Sequence, residues 1–600
     1  MLEATHEPRG KSQLKQGSAY TRASAISENR SLDADRLAID AYVSTYTSLL
    51  RSSGEVFVAA LEDAHVASSP VLHPYCARDD IHDVHAFGYG AARLPSVMPL
   101  IRRIVLAQSH EQFEAAGFPV REWKRLRTPG RRRPLRWGGG DTLAVFLSST
   151  SDIDDLVPIV TAYQIEWNKL HARLRGRPFA ESLRNPNVEL SMDTLRTELD
   201  LESRDVFQLM DALGPRWRAS LVEISSHPCD LSIRLLASSH AEYMRAAQRW
   251  WSGVEVAYVR EELPHRRPIY FVSSNTHSLA NLLGGYARSH REQITTFTRK
   301  TNPEGLLPLL EQALANRDEA QIDNLTYYLL RAWMRHSESV ESEIMEEVQH
   351  HDAAGGVHSL YQPGQLDVNA QIIELARLKP DRLDSRLSMP NMARLAQSDA
   401  VIMNIDYPLG LAAYHLLSRL AQGTNEVRGV YIMGKAAMLN GRVGDVAVLS
   451  NVRDEHSGNT FILRNCFRTQ ELQPFMKGSR VYDNQRAVTV RGTFLQNPRY
   501  LGALQREGVT VLEMEAGPYL SAVYELALPD RHPVGETVVL GDDVPFEVGM
   551  LHYASDTPQS KRQSLLSKSM SFFGVSGTSA CAIAIVRRIL AQEIKRNTVS

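Results

Sequence analysis

The feature that most constrains the fold is the alternation of strand-like and helix-like segments in the last third of the chain. Short apolar runs such as AVIMNID, VYIMG, VAVLSN and VTVLEME alternate with amphipathic stretches such as PLGLAAYHLLSRLA and AGPYLSAVYELAL. Apolar strands interleaved with helices require a sheet that is covered by helices on both faces. We therefore predict a three-layer α/β domain over residues 398–600, ending in a helix from about Thr578 to Arg596.

The preceding residues have a different pattern. Helical spacing of apolar residues dominates much of 34–350, which predicts a large, mainly α-helical N-terminal domain with a few strands. Residues 1–33 have scarcely any apolar periodicity, and we interpret them as a disordered tail. Residues 351–397 are interrupted by Gly and Pro, which indicates a linker region with one helix at Asp367–Leu378.

Length and composition limit the function classes. A chain of 600 residues is too long for one hydrophobic core, and its 67 basic and 69 acidic residues argue against a nucleic-acid partner. The four cysteines are too scattered for a disulfide framework or a CxxC metal site. No segment reads as a signal peptide or a membrane span. We therefore expect a cytoplasmic protein with no metal, no other cofactor and no membrane partner.

Two segments of the first part resemble each other. TLAVFLSSTSDIDDLVPIVTAY (142–163) and IYFVSSNTHSLANLLGGYA (269–287) each run from a short strand through Ser-Ser into a helix. Strand ends that open onto helix N-termini are common ligand sites in α/β proteins. Alternatively, Asp152 and Asn275 or Ser278 only cap their helices. The similarity is too short to establish a duplication.

Two polar clusters in the first part could also bind ligands. HPYCARDDIHDVH (73–85) is dense in metal-ligand types, and His82 and His85 could face one way on a helical turn; the alternative is a polar surface turn. The basic run at 124–137 could bind phosphate groups, or RNA with Trp137 stacking on a base. A mobile, Pro- and Gly-rich loop is the other interpretation of this run.

Four short motifs lie at strand ends of the predicted α/β domain, where open sheets of this kind bind ligands. They are GKAAML, which begins at Gly434, RGTF, which ends at Phe494, Glu513-Met514-Glu515-Ala-Gly, and Ser555-Asp556. Each motif by itself has an ordinary structural explanation, such as a strand that runs into solvent or a turn with a helix cap. Their order along the chain is the informative feature.

In this order and spacing, the motifs resemble the nucleoside phosphorylase and nucleosidase superfamily, whose members cleave the N-glycosidic bond of nucleosides. That family shows Gly-[Ser/His]-[Ala/Cys]-Gly-Gly-Leu followed by Val-Gly-Asp-Val, and here GKAAML is followed by VGDVAVL. Gly-Asp-x-Phe is matched by RGTF, the acidic-Met-Glu strand end by Glu513-Met514-Glu515, and the late Ser-Asp by Ser555-Asp556. The resemblance covers residues 398–600 and does not extend to the first 397 residues.

The resemblance implies a role for each of these residues. Asp556 would be the general acid that protonates the leaving base. Glu515 would accept hydrogen bonds from the sugar hydroxyls, with Met514 against the ribose face. Phe494 would stack on the base, and the backbone near Leu495 would contact the base edge.

The nucleophile is a separate question. Family members that use phosphate hold it with two arginines. Here Gly410 occupies the first expected arginine position, and the second falls in Ile432-Met433-Gly434, which contains no arginine. A phosphate without guanidinium partners loses its bidentate hydrogen bonds, which favours water, with Asp406 to orient it. Lys435 could bind phosphate as a point charge or extend into solvent. The residues implied to line this side of the site are Gly434, Lys435, Ala436 and Ser555.

One further stretch indicates a nucleotide. NVRDEH (451–456) is similar to the Leu-Arg-Asp-Asp-His stretch of AMP nucleosidases, which also carry an extra N-terminal domain. Arg453, Lys561 or Lys568 would then contact a 5′-phosphate, or the stretch is a solvated charged turn.

We therefore expect an enzyme that cleaves the N-glycosidic bond of a purine nucleoside or nucleotide by hydrolysis. Two alternatives remain open: phosphorolysis that uses Lys435, and nucleotide sensing without turnover. Relatives of the second domain commonly form dimers to hexamers, so the resemblance also implies a homo-oligomer.

Overall fold

A computed structural model describes residues 36–599 except for 53, 129, 131–132, 186, 261–262, 264–265, 337, 530 and 558–571. These residues form a mixed α/β structure with two β-sheets. The predicted tail at 1–33, and Lys561 and Lys568, lie outside the described residues. Among the described helices, none combines the length and the apolarity that a membrane-spanning helix needs.

The first sheet has six strands in the order β1-β6-β2-β5-β4-β3, with β2 parallel to β5 and β6. The strands are β1 Glu55–Phe57, β2 Arg103–Ala107, β3 Lys124–Leu126, β4 Leu135–Trp137, β5 Thr142–Phe146 and β6 Ser232–Leu235. The helices of this part are α1 36–52, α2 Ala59–Ser68, α3 Val84–Arg93, α4 His110–Ala115, α5 Ser151–Leu174, α6 Pro178–Arg184, α7 Met192–Leu199, α8 Ser203–Leu213, α9 Trp217–Ser226 and α10 His240–Arg260.

The basic run at 124–137 differs from its predicted form. Its ends make the hairpin β3–β4 rather than one mobile loop. Arg133, between the two strands, is buried and pairs with Asp152 at 3.0 Å and Asp155 at 2.8 Å, at the start of α5. Asp152 also accepts hydrogen bonds from the loop before α5, so this acidic turn and Arg133 stabilise each other. These two carboxylates neutralise Arg133, so it serves the fold rather than a nucleic-acid surface.

The second sheet has eleven strands in the order β16-β13-β12-β14-β15-β11-β7-β10-β9-β8, with β17 paired to β11 and β12. The strands are β7 Ile269–Ser273, β8 Val357–Leu360, β9 Ala370–Glu374, β10 Val401–Ile405, β11 Val427–Met438, β12 Val446–Asp454, β13 Thr460–Leu463, β14 Val481–Thr489, β15 Val511–Glu513, β16 Thr537–Leu540 and β17 Glu547–Asp556. Four of them, β10, β7, β11 and β17, run parallel to one another, so their carboxyl ends meet at one edge.

Helices pack on both faces of this sheet, as the alternation of segments predicts. One buried apolar cluster joins α10, α17 and α20 to the sheet, and another joins α11 and α21 to its opposite face. The helices of this part are α11 Thr276–Gly284, α12 Tyr286–Ser289, α13 Arg291–Thr301, α14 Leu307–Ala315, α15 Glu319–Met334, α16 Glu338–Ala353, α17 Ala412–Gln422, α18 Thr469–Leu472, α19 Pro498–Arg506, α20 Ala516–Ala527 and α21 Val575–Val599.

The sheet begins earlier in the chain than the sequence predicts. β7 lies between β10 and β11, and β9 pairs with β10. The predicted boundary near 397 therefore falls inside one sheet. The helix predicted at Asp367–Leu378 is the strand β9 followed by a 3-10 turn, Leu375–Arg377. The strands in 351–397 are too short to show a period of two, and Gly and Pro residues border them. The segment therefore resembles a linker in sequence.

The two predicted domains also share a hydrophobic core. One cluster of buried side chains contains Tyr42, Phe87 and Tyr163 from the first part and Phe494 and Met514 from the second. Side chains of the first part therefore pack in one cluster with side chains at the ends of β14 and β15. Residues far apart in sequence can therefore line one site.

Asp352, at the end of α16, is a buried carboxyl that gives a separate test of the fold. The carboxyl is buried, and Oδ1 has no hydrogen-bond partner among the described residues. Burial raises the pKa of Asp352 to about 7, although Arg382 opposes the shift. Because the folded state keeps a proton that the unfolded state releases, the free energy of unfolding should fall as pH rises from about 4 to about 7.

We predict that Asp352→Asn removes this loss. At pH 8 the variant should be more stable than the wild type by about 2–3 kcal/mol, since the new amide donors offset part of the gain. Urea unfolding at pH 5 and pH 8 measures the difference, which should shrink at the lower pH. Asp193→Asn, at a side chain that is 90% exposed, is the control. An equal gain at both pH values would contradict the assignment.

Candidate active site

The sheet brings the four predicted motifs to one edge. Ala437, near the end of β11, pairs with Asp556 at the end of β17 and with Leu512 in β15. β15 in turn pairs with β14 through Glu513 and Thr489, and the turn that carries Phe494 follows β14. The sequence motifs at 434–437, 492–494, 513–515 and 555–556 are therefore neighbours in space.

Asp556 is the most perturbed carboxyl at this edge. The residue is 6% exposed; Oδ1 accepts a hydrogen bond from the backbone N–H of Thr557 at 2.7 Å. Oδ2 is buried and has no hydrogen-bond partner among the residues that the structure describes. Burial raises the pKa of Asp556 to about 6, while the Thr557 N–H and the positive charge of Arg93 oppose the shift. A carboxyl with this pKa carries a proton that it can donate near neutral pH.

The end of β11 lies beside Asp556 and contains Gly434, Lys435 and Ala436. Lys435 is exposed, and its ammonium lies 6.0 Å from the centre of the Tyr407 ring. The Ser555 hydroxyl donates to the carbonyl of Ala436 at 3.3 Å, which fastens the end of β17 to β11. Lys435 thus adds a positive charge to this edge of the sheet.

Gly434 is required by a buried imidazole. His552 in β17 is fully buried beside it, and a Cβ at position 434 would overlap His552 Nε2. The same nitrogen lies 3.7 Å from Glu513 Oε2, across β11. The sequence motif therefore needs glycine here because of the side chain below, and His552 was not predicted as part of the site.

The acidic strand end is organised by Glu513 rather than by Glu515. Glu513 Oε2 accepts hydrogen bonds from the backbone N–H groups of Glu515 at 2.7 Å and Ala516 at 2.6 Å, and Oε1 accepts from the Thr489 hydroxyl. These bonds fix the start of α20. Glu515 is half-buried at that start, and Met514 is buried in the shared apolar cluster.

Phe494 is enclosed by residues of the first part. The ring is 1% exposed; the Tyr89 ring centre lies 5.3 Å away at an interplanar angle of 79°, and the His65 ring centre lies 6.0 Å away at 45°. The Tyr89 hydroxyl also donates to Thr493 Oγ1 at 2.9 Å. Leu495 is buried in the same cluster. Neither ring stacks parallel on Phe494, but both restrict what can approach it.

Arg93 connects this aromatic wall to Asp556. Its guanidinium carbon lies 3.4 Å from the centre of the Tyr89 ring, and its charge acts on Asp556. Sequence reasoning missed Tyr89 and Arg93 because they lie on α3, about 400 residues before their neighbours, and belong to no motif. Only the packing of α3 against the second sheet reveals them.

Two predicted residues have other partners. Asp406 accepts hydrogen bonds from Thr276 N and Oγ1 at 3.2 Å and from Asn369 Nδ2 at 2.9 Å. It thus ties the ends of β7, β9 and β10 together. Asp406 directly follows β10, and β7, β8 and β9 of the same sheet precede it in the chain. Arg453 pairs with Glu507 at 3.7 Å near the end of α19.

A Ser–His–Asp chain lies where the two parts meet. Ser151 Oγ is 3.1 Å from His456 Nε2, and His456 Nδ1 is 3.0 Å from Asp454 Oδ1, an arrangement similar to a catalytic triad. However, Ser151 is fully buried, and its Oγ accepts a hydrogen bond from the backbone N–H of Leu411 at 3.0 Å. A nucleophile needs access to substrate, so this chain joins α5 to the second sheet.

The histidine-rich segment 73–85 is organised around a carboxylate. His73 Nε2 and His82 Nδ1 each lie 2.7 Å from a different oxygen of Glu166, and all three side chains are buried. Within the described residues, no group of three or more His, Cys, Asp or Glu side chains has an arrangement that could hold a metal ion. Two of the residues that suggested a metal site, His73 and His82, thus contact the Glu166 carboxylate.

The chain belongs to DUF6909, a family of unknown function, whose model matches residues 58–591. A search of curated proteins finds no match. Similar solved structures include a 5′-methylthioadenosine/S-adenosylhomocysteine nucleosidase from Neisseria meningitidis, 13% identical over 42% of this chain and 94% of that chain, with a TM-score of 0.27. A purine nucleoside phosphorylase from Toxoplasma gondii is 14% identical over 42% of this chain and 88% of that chain, with a TM-score of 0.26. Scores this low do not assign an activity.

Proposed function

We propose that this protein cleaves the N-glycosidic bond of a purine nucleoside or nucleotide, with water as the nucleophile. The observation that carries the proposal is Asp556, a buried carboxyl with a pKa of about 6 at the carboxyl edge of the sheet. General acids of this kind have pKa values close to the working pH. The order of the four motifs supports the choice of a glycoside as substrate.

Each step of the reaction uses a group at this edge. Asp556 gives its proton to a ring nitrogen of the base as the bond between the base and the sugar breaks, and the bonding electrons leave with the base. The sugar carbon becomes electron-poor and takes a water oxygen. The proton that this water releases goes to solvent, and Asp556 takes a proton back from solvent before the next turnover.

Glu515 accepts hydrogen bonds from the sugar hydroxyls, and Met514 packs against the sugar. The resemblance gives Phe494 the base-stacking role, but its ring is 1% exposed, so a base reaches it only when Tyr89 or His65 moves aside.

Product analysis tests this proposal. The purified full-length chain is incubated with adenosine, inosine, guanosine, AMP and GMP, with and without inorganic phosphate, and bases and sugars are separated by chromatography. We expect free base and a sugar with a hydroxyl group at C1, formed at a rate that does not depend on the phosphate concentration. A sugar 1-phosphate would reject hydrolysis and support the phosphorolytic alternative, which the exposed Lys435 favours.

The remaining alternative is a protein that binds a nucleotide without turnover. Saturable nucleotide binding with no base release would support it. A homo-oligomer and a cytoplasmic location stay predictions; light scattering of the purified chain tests the first of these.

A further inference from the structure

The strand pairing of β11 is interrupted at the edge that carries the candidate active site. On one side, β11 pairs with β17 throughout this region. On the other side, it pairs with β7 as far as Ile432, opposite Ser273, and with β15 from Ala437, opposite Leu512. Among the described strands, none therefore borders residues 433–436 on that side, over a length of about 13 Å. We call this interruption the notch.

Polar groups occupy the two strand ends that border the notch. Ser273 is the last residue of β7, and Glu513 is the last residue of β15. Glu515, two residues further on, is half-buried, and Lys435, within the notch, is exposed. Solvent therefore reaches the rim of the notch, next to the end of β17 that carries Asp556.

Two fully buried polar side chains at the notch lack a hydrogen-bond partner, and the first is His552. Neither of its ring nitrogens has a partner among the described residues. The ring covers Gly434, where a Cβ would overlap it. His552 Nε2 lies 3.7 Å from Glu513 Oε2, on the other side of β11. Because this distance is too long for a hydrogen bond, Nε2 can take another partner.

The second is Tyr519, in the first turn of α20. Its ring centre lies 5.6 Å from that of Phe271 on β7, and its backbone N–H donates to the Glu515 carbonyl at 3.1 Å. Burial raises the pKa of Tyr519, and the nearby Ser273 hydroxyl partly offsets this effect. The Tyr519 hydroxyl nevertheless has no hydrogen-bond partner among the residues that the structure describes. It thus lies at the β7 end of the notch.

Buried groups of this kind point to a ligand. An unpaired donor or acceptor in the interior costs stability, so native proteins rarely keep one without a use for it. The imidazole and the phenol hydroxyl can each donate and accept a hydrogen bond, which matches the hydroxyl groups of a sugar. The carboxylates of Glu513 and Glu515 at the same notch disfavour an anionic ligand. A neutral group that carries hydroxyls fits these surroundings best.

We infer that Tyr519 and His552 are specificity-determining residues that bind sugar hydroxyls in the notch, so that the protein selects ribosides over deoxyribosides. A site built to hydrogen-bond a hydroxyl rejects the analogue that lacks it, because the buried groups then stay unpaired. Since both groups are fully buried, the hydroxyls reach them only when the start of α20 shifts as the sugar enters. The inference rests on the proposed cleavage, which assigns the neighbouring Glu515 to the sugar.

Equilibrium binding to Asp556→Asn, which slows turnover, tests the inference. Each compound of the product panel is compared by calorimetry with its 2′-deoxy and 3′-deoxy analogues. We expect the riboside to bind at least about a hundredfold more tightly than one of the two analogues. Equal affinities would overturn the inference and leave the proposed cleavage intact, and no binding of any panel compound would overturn both. Discrimination without base release by the wild type would support the sugar assignment and overturn the cleavage.

Tyr519→Phe removes only the hydroxyl and locates the discrimination. It should weaken riboside binding roughly tenfold and leave the rejected deoxy analogue unchanged, so the affinity ratio falls. Because the hydroxyl has no partner in the free protein, the variant should be at least as stable as the wild type in urea. Tyr524→Phe, at a buried side chain of the same helix, is the matched control and should keep the ratio. A loss of stability with an unchanged ratio would show that the hydroxyl serves the fold, which overturns the inference.

His552 is tested by a pair of substitutions. His552→Leu removes both hydrogen-bonding nitrogens and should lower the ratio tenfold or more, whereas His552→Gln keeps a donor and an acceptor and should retain part of it. Equal ratios in His552→Leu and the wild type would remove His552 from the site. If the His552 variants fail to fold, Tyr519→Phe decides: an unchanged ratio would overturn the inference.

Discussion

Replacing Asp556 with Asn is expected to slow base release by about 10²- to 10⁴-fold, the usual contribution of a general acid. Asn has nearly the same shape and can still accept the hydrogen bond from Thr557, so the substrate should bind with little change in affinity. The effect should therefore fall on kcat rather than on KM. Single-turnover base release, together with equilibrium binding of the substrate, measures the two quantities separately.

The pH dependence of kcat/KM is a second test of Asp556 as the general acid. Because the pKa of Asp556 is raised to about 6, the acid is protonated below that pH and loses its proton above it. The wild-type kcat/KM should therefore fall by roughly tenfold for each pH unit above about pH 6, and Asp556→Asn should lose this dependence. A variant that keeps both the wild-type rate and the wild-type profile would remove Asp556 from the mechanism.

Asp406→Asn is the matched comparison at the same edge of the sheet. Its carboxylate binds Thr276 and Asn369, so the substitution should lower stability and leave the pH dependence of catalysis in place. If Asp406 orients the attacking water instead, kcat should fall while the free energy of unfolding changes little. The two carboxylates thus give opposite patterns of rate and stability.

The sequence predicts the elements of the second sheet well where a local pattern decides them. The strands that end at Met438, Glu513 and Asp556 contain continuous apolar runs, as expected of strands covered on both faces, and turn motifs separate them from the helices. Local pattern also identifies Asn275, whose side chain accepts from the N–H of Ser278 at the start of α11.

Long-range pairing could not be predicted in the same way. β7 is separated from its neighbour β10 by six helices and two strands, and period alone does not tell which strands will pair. The wall formed by Tyr89 and His65 around Phe494 depends on how one part of the chain docks on another. No local sequence motif encodes that docking, so the sequence predicts no function for the first part.

A buried ion cluster in the first part lies beside His65, which contacts Phe494. Glu166 is fully buried and lies 2.7 Å from His73, 2.7 Å from His82 and 2.6 Å from the Lys169 ammonium. It also accepts a hydrogen bond from the backbone N–H of Asp83 at 2.6 Å. These donors outweigh the effect of burial and hold the pKa of the Glu166 carboxyl well below its usual value.

We expect Glu166→Gln to lower the free energy of unfolding by about 3–5 kcal/mol, the usual effect of removing one partner of a buried ion pair. The amide nitrogen cannot accept a hydrogen bond, so the groups that face one of the two oxygens lose their acceptor, and the buried Lys169 ammonium loses its opposite charge. Urea unfolding at pH 7 measures the loss. Asp193→Asn, which breaks an exposed pair with Arg196, should change stability by about 0.5 kcal/mol or less.

The free energy of unfolding at low pH is the second measurement on the same variant. Because the folded-state pKa of Glu166 lies below the unfolded value, its stabilisation is present at neutral pH and is lost as pH falls below about 4. The wild type and Glu166→Gln should therefore converge in stability on acidification.

Adding Lys169→Met to Glu166→Gln should recover part of the loss, because the buried ammonium no longer needs a partner. A loss no larger than that of Asp193→Asn would show that the cluster does not support the fold. Since His73 lies 3.0 Å from His65, and His65 contacts Phe494, weakening this cluster should also loosen the aromatic wall of the candidate site.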